Sequence, residues 1–188
     1  HKDFWFEYPV LKKKIAERDY KQAISNAYLL LDQKNLKEAS RALKRAQTIR
    51  PTAPEIQELT NKITSATQVA NLNELHKQAL AYEKQEQWSN ALKSYQKAFM
   101  IDNNATFANR GKSRAQTFLD LYKAIDSYLN QPDRLYSAEP LAHAKVLYEG
   151  SLTLDGSGSL LEDKRNRLRN LISLAETPIP VLLKSDQK

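Results

Sequence analysis

The stretch Ala79-Leu80-Ala81-Tyr82-Glu83-Lys84-Gln85-Glu86-Gln87-Trp88-Ser89-Asn90-Ala91-Leu92-Lys93-Ser94-Tyr95-Gln96-Lys97-Ala98 decides the fold of this chain. Small residues at 79, 91 and 98 and aromatics at 82, 88 and 95 recur at the spacing of a helix face. Two helices approach closely only where the facing side chains are small. Ala79 and Ala91 therefore mark a contact, and Tyr82 and Tyr95 fill the space beside it. The pattern occurs again 52 residues upstream, in Ala27, Leu30, Ala39, Leu43 and Ala46. It is an internal repeat, and repeats are read as architecture first.

Between the copies, Ile56, Leu59, Ile63, Ala66, Val69, Leu72, Leu75, Ala79 and Tyr82 step by three or four with no Gly or Pro among them. Residues 54–86 are expected to form one helix, about 50 Å long at 1.5 Å per residue. Its soft spot is Thr64-Ser65-Ala66-Thr67, where hydroxyls compete for backbone groups and a bend is accommodated. A third, degenerate copy lies 53 residues downstream in Ala144, Tyr148 and Ser151, after a stripe from Phe107 to Leu129. Asn130-Gln131-Pro132-Asp133 ends that helix, and Ser137 caps the next one with Pro140 in its first turn. Asp155-Gly156-Ser157-Gly158 reads as a turn. Ser159 and Glu162 then read as a capping box for a last helix carrying Leu161, Leu168, Leu171 and Ala175, which closes the stack. Near the start, Pro9 opens a helix through Ile15, Tyr20, Ala23, Ala27 and Leu31. A turn near residue 18 is the alternative, because Arg18–Ala23 is similar to Glu86–Ala91, but no Gly or Pro between 10 and 50 forces a break.

The run Ala79, Tyr82, Trp88, Ala91, Tyr95, Ala98 resembles a tetratricopeptide repeat. The upstream copy adds Pro51 where that family ends its second helix, and Asn103 holds the place in the second copy. That family's repeat is about 34 residues long, and the roughly 18 residues added here make five whole helical turns, which preserve the buried face. The resemblance implies an all-α fold of TPR-like antiparallel helical hairpins with long connecting helices. It would be a short solenoid closed by a C-terminal capping helix and occupying residues 1–177 as a single domain. It also implies a non-enzymatic protein–protein interaction scaffold whose partner peptide lies along the first helix of each pair. That assigns Lys21, Tyr28 and Leu31 in the first copy, and Asn73, His76, Leu80 and Glu83 in the second.

Residue 1 is His, and Thr177-Pro178-Ile179-Pro180-Val181-Leu182-Leu183 reads as a first strand. The expectation is a fragment, with 178–188 beginning a further domain. The pattern is similar to bacterial envelope proteins in which helical repeats precede a small β domain, which points to the cell envelope, with the cytoplasm as the alternative. Were a membrane anchor to precede residue 1, Phe4, Trp5, Phe6 and Tyr8 would suit the interfacial zone; otherwise they cap the first helix.

The composition agrees: 188 residues, 41% hydrophobic, with four Gly and seven Pro, suit a helical chain able to bury a core. No apolar run reaches the length that spans a bilayer, and the absence of cysteine excludes disulfides and thiolate metal sites. The charge is uneven. Residues 1–50 carry 12 basic against 6 acidic side chains, 51–102 carry 5 against 6, and 103–188 carry 12 against 10. Lys12, Lys13 and Lys14, with Lys37, Arg41, Lys44, Arg45 and Arg50, form a basic region for an acidic partner, anionic lipid or nucleic acid. Lys37, Arg41 and Lys44 follow helical spacing with Arg45 beside them, and no nucleic-acid motif accompanies them. Binding of an anionic polymer or membrane surface there is the second functional reading. A structural spacer or dimerisation arm, with the 54–86 helix at the interface, is the third. Catalysis is not expected: Glu139 one turn before His143 lacks a nucleophile or further ligands, Gly156-Ser157-Gly158 lacks the lysine of a phosphate loop, and no cofactor or metal is implied.

Overall fold

The computed structural model describes residues 2–155 and 158–178, with side chains from Tyr8 onward. Among them the chain is all-α: α1 (Lys2–Asp32), α2 (Leu36–Ile49), α3 (Pro54–Lys84), α4 (Trp88–Ile101), α5 (Thr106–Asn130), a 3₁₀ stretch at Pro132–Tyr136, α6 (Ala138–Leu152) and α7 (Ser159–Glu176). The contacts group into two units, His1–Asn73 and Glu74–Lys188, and the division falls inside α3.

The repeat is reproduced element by element. α1 and α3 end at Asp32 and Lys84, α2 and α4 begin at Leu36 and Trp88, and the same two helices end at Ile49 and Ile101, one sequence period apart each time. The turns match to the hydrogen bond. The Asn35 N–H donates to the Leu30 carbonyl and the Lys34 N–H to that of Leu31, both at 2.9 Å; one period on, Gln87 donates to Tyr82 and Glu86 to Glu83, again at 2.9 Å. This is the Schellman ending, which needs a left-handed residue after the helix. Lys34 (φ 59°) and Glu86 (φ 55°) supply it without being glycine. The starts of α3, α5 and α7 at 54, 106 and 159 extend the period. The third hairpin departs at its turn, where the 3₁₀ stretch sends Leu135, 1% exposed, into the core.

In the first unit Tyr20, Ala23 and Ala27 pack with Ala39, Ala42, Leu43 and Ala46, and with Ile56, Leu59 and Ile63 of α3. Ala27, Ala39 and Ala46 are wholly buried, as close helix contact requires. In the second unit Ala79 and Ala91 are likewise wholly buried in a cluster with Tyr95, Ile125, Leu161 and Leu168. Trp88 stacks on Phe118 with ring centroids 4.0 Å apart and planes 5° from parallel. Ala144 and Ser151 of the third copy are buried too.

α3 runs unbroken through residues 64–67, where the Thr67 hydroxyl turns back onto the Ile63 carbonyl at 2.7 Å. α1 is one helix, without a turn near residue 18, but it begins at Lys2 and holds Pro9 inside it. Ser137 is the N-cap of α6, yet its side chain makes no capping bond. The expected Ser159–Glu162 capping box does not form. Gly158 is the N-cap of α7 and Ser159 its first residue, so the hydroxyl lies one position too far along, and a carboxylate from elsewhere takes over the capping. Phe4, Trp5 and Phe6 as side chains, Gly156-Ser157 of the expected turn, and 179–188 of the expected strand lie outside the described residues.

Candidate functional site: a basic groove between α2 and α3

α2 is amphipathic. Its buried face is Ala39, Ala42, Leu43 and Ala46, and a second face places Lys37, Arg41 and Lys44 in line at spacings of four and three. Opposite them, α3 continues beyond Ile63 with Thr64, Thr67, Gln68 and Asn71, a polar stripe at the same period. Between the two helices lies an open groove of about 690 Å³, to which Leu36, Ile63 and Ala70 contribute apolar surface.

The groove is lined by three cations and no carboxylate. Arg41 is paired with Glu38 on its own helix, whereas Lys37 and Lys44 have no ion pair among the described residues. The start of α2 adds to the positive field, since Leu36 and Lys37 form its first turn, where the helix dipole is positive. Such a groove is built to take negative charge together with a modest apolar contact.

Arg45 does not share this wall. It lines a separate hollow of about 330 Å³ between α1 and α2, together with Asp19. Lys12, Lys13 and Lys14 lie on the exposed N-terminal half of α1. The basic region expected as one surface is thus divided among three places within the first unit.

The residues assigned by family resemblance divide between the units. In the first, Lys21 is exposed and pairs with Glu17 at 3.7 Å. Tyr28 is half-buried with the Lys62 ammonium 5.4 Å from its ring centroid. Burial, then neighbouring Glu58, raises the Tyr28 phenol above its ordinary value. Leu31 packs on the core and Asn73 is exposed. In the second unit, His76 stacks on Phe107 at 4.3 Å and Leu80 is exposed. Glu83, whose side chain is 9% exposed, accepts the Tyr95 hydroxyl at 3.1 Å and pairs with Arg114 at 3.7 Å. Burial, and then Glu83, push the Tyr95 phenol up to about 12.

Glu139 and His143 are both exposed. Among the described residues no group of three His, Cys, Asp or Glu is placed to hold a metal ion. Sequence reading found the cationic wall but missed the polar wall of the groove. The signal was present in Thr64, Thr67 and Asn71 at helical spacing, but hydroxyls and amides on a helix read as ordinary solvated residues until a basic wall is known to face them.

Comparison of the chain with protein-family models, with curated proteins and with solved structures finds no match.

Proposed function

We propose that this chain is a non-enzymatic, TPR-like scaffold that docks an acidic segment of a partner protein in the groove between α2 and α3. The observation that carries the reading is the groove's composition: Lys37, Arg41 and Lys44 with no carboxylate among its lining residues, facing hydrogen-bonding side chains across an apolar floor. A peptide carrying Glu or Asp beside a small apolar side chain satisfies all three kinds of wall. Its carboxylates gain charge-assisted bonds, its amides meet Gln68 and Asn71, and its apolar group covers Leu36 and Ala70. The repeat supports the TPR-like assignment, because a sequence period carried down to two matching Schellman turns is what lengthened copies of one hairpin would produce.

Fluorescence anisotropy with a labelled peptide of alternating Glu and Leu tests the reading on the full chain. Binding should weaken with salt, and a Lys37→Glu, Lys44→Glu variant should bind roughly tenfold more weakly, given up to about 1 kcal/mol per exposed pair. Equal affinity of wild type and variant, or no binding by wild type at low salt, overturns it.

A further inference from the structure

α1 has two different apolar faces, and the hairpin uses only one. Tyr20, Ala23 and Ala27 pack in the first unit's core. Tyr8, Leu11 and Ile15 follow one another at spacings of three and four, and at 100° per residue they lie about 120° around the helix from that core face. They are large and exposed, at 54%, 57% and 43%. Packing against the α2–α3 turn ends near Glu17, which pairs with Arg50, and Tyr20, whose hydroxyl donates to Glu55 at 3.1 Å. Every residue from Tyr8 to Ile15 is exposed. Monomeric proteins seldom leave such a stripe in water without a use for it.

The charges around the stripe indicate what covers it. Residues 8–16 contain Lys12, Lys13 and Lys14 and no acidic side chain. Lys12 and Lys14 fall on opposite flanks of the stripe, each within about 90° of its centre by helical geometry. None of the three makes an ion pair among the described residues, whereas Arg18, one turn on, is tied to Asp19. A short apolar stripe bordered on both sides by long-stemmed cations suits a helix lying in the plane of an anionic bilayer surface. The apolar groups enter the acyl boundary while the ammonium groups reach back to the phosphates. A second copy of the same helix would bring these lysines toward one another, which opposes self-pairing. The mode is adsorption, since no described helix is long and apolar enough to cross a membrane.

We propose that the N-terminal half of α1, through Leu11 and Ile15 flanked by Lys12 and Lys14, is a membrane-surface binding element specific for anionic lipid. It is separate from the α2–α3 groove and rests on different residues. Co-sedimentation of the full chain with phosphatidylcholine vesicles, with and without phosphatidylserine, tests it. Wild type should bind the anionic vesicles only, and less as salt rises. Each lysine near an anionic surface contributes about fivefold to partitioning, so Lys12→Gln and Lys14→Gln together should lose about twenty-five-fold, whereas Lys13→Gln, on the opposite side of the helix, should change binding little. Leu11→Ser, Ile15→Ser should also lose binding, and because both sites are exposed the far-ultraviolet circular dichroism should stay unchanged.

Three results overturn the proposal. One is failure of wild type to bind anionic vesicles at low salt. Another is binding that survives the Leu11→Ser, Ile15→Ser change, which would leave only unspecific charge attraction. The last is a wild-type dimer in sedimentation that the same change dissociates while vesicle binding persists, which would make the stripe a contact between copies.

Discussion

The carboxylate of Glu86 accepts the main-chain N–H of Leu160 at 2.8 Å, across 74 residues of sequence. The same carboxylate accepts the Leu161 N–H at 2.9 Å and the Tyr122 hydroxyl. It thus neutralises two orphan donors and the positive end of α7, doing from the α3–α4 turn what a local cap would normally do. Gly158 leaves the room: a Cβ there would collide with the carboxylate.

Glu86 and its counterpart Lys34 share a left-handed backbone and differ in what their side chains do, so glycine at the two sites should have opposite effects. Lys34→Gly relieves an unfavourable conformation on an exposed turn and should stabilise the chain by about 0.5–1 kcal/mol. Glu86→Gly gains the same relief but uncaps α7 and strips Tyr122 of its acceptor, for a net loss of about 1–2 kcal/mol. Urea denaturation of both variants checks the pair, and a shift in the same direction for both would contradict the capping role.

The second copy of the repeat exchanges volume between two positions. Leu43 and Leu59 of the first unit correspond, one period on, to Tyr95 and Gly111 of the second. A Cβ on Gly111 would lie well inside contact distance of the buried Tyr95 ring. Gly111→Ala should therefore cost about 1–3 kcal/mol by overpacking, despite alanine's better helix propensity. Combined with Tyr95→Leu, it should cost less than the two single changes added together. A double-mutant cycle measures the coupling, and simple additivity would refute the pairing.

Two phenols of the second unit titrate late for one shared reason, and the sign of their effect follows. Burial first, and a neighbouring glutamate next, raise Tyr95 to about 12 and Tyr122 above its ordinary value. The Trp88 indole acts against the rise at Tyr122, although its buried N–H lacks a partner of full hydrogen-bond geometry. A group whose folded value exceeds its unfolded value of 10.0 stabilises fully below pH 10, and that contribution is lost as pH climbs through the folded value. Stability should fall between about pH 10 and 12. Tyr95→Phe and Tyr122→Phe should flatten the fall, as followed by denaturation midpoint against pH together with tyrosinate absorbance.

What could be read from the sequence was what repeats. Ala27, Ala39 and Ala46, and one period later Ala79, Ala91 and Ala98, were expected at close contacts, and all six are wholly buried. Helical periodicity likewise foretold the continuous α3. What escaped depends on partners distant in sequence or on non-standard residues in standard roles. Nothing near Glu86 announces that α7 will begin on it, and neither position 34 nor position 86 holds the glycine that marks a left-handed turn. Arg165 is similar: among Lys164, Arg167 and Arg169 it has the sequence context of a solvated charge, yet it is buried, donating to the Ser151 hydroxyl at 3.1 Å and to the Ser151 carbonyl in the last turn of α6. In the groove, the cationic line Lys37, Arg41, Lys44 was legible because one helix carries it, whereas the facing wall required knowing which part of α3 comes alongside.

Neighbours in sequence on α2 provide the sharpest test of the groove. Lys44 lines it, while Arg45 lines the separate hollow between α1 and α2, on the other flank of the helix. Both are exposed and basic, so a binding mode that senses only net charge would treat their reversal alike. If an acidic segment occupies the groove, Lys44→Glu should weaken the labelled peptide about threefold to fivefold, from the loss of one direct charge-assisted contact. Arg45→Glu should change affinity by less than about twofold, because the long-range component is screened within a Debye length of roughly 8 Å at physiological salt. Anisotropy titrations of the two variants at that salt decide between the modes. Equal weakening would place the peptide on a diffuse basic surface and remove the argument for the groove.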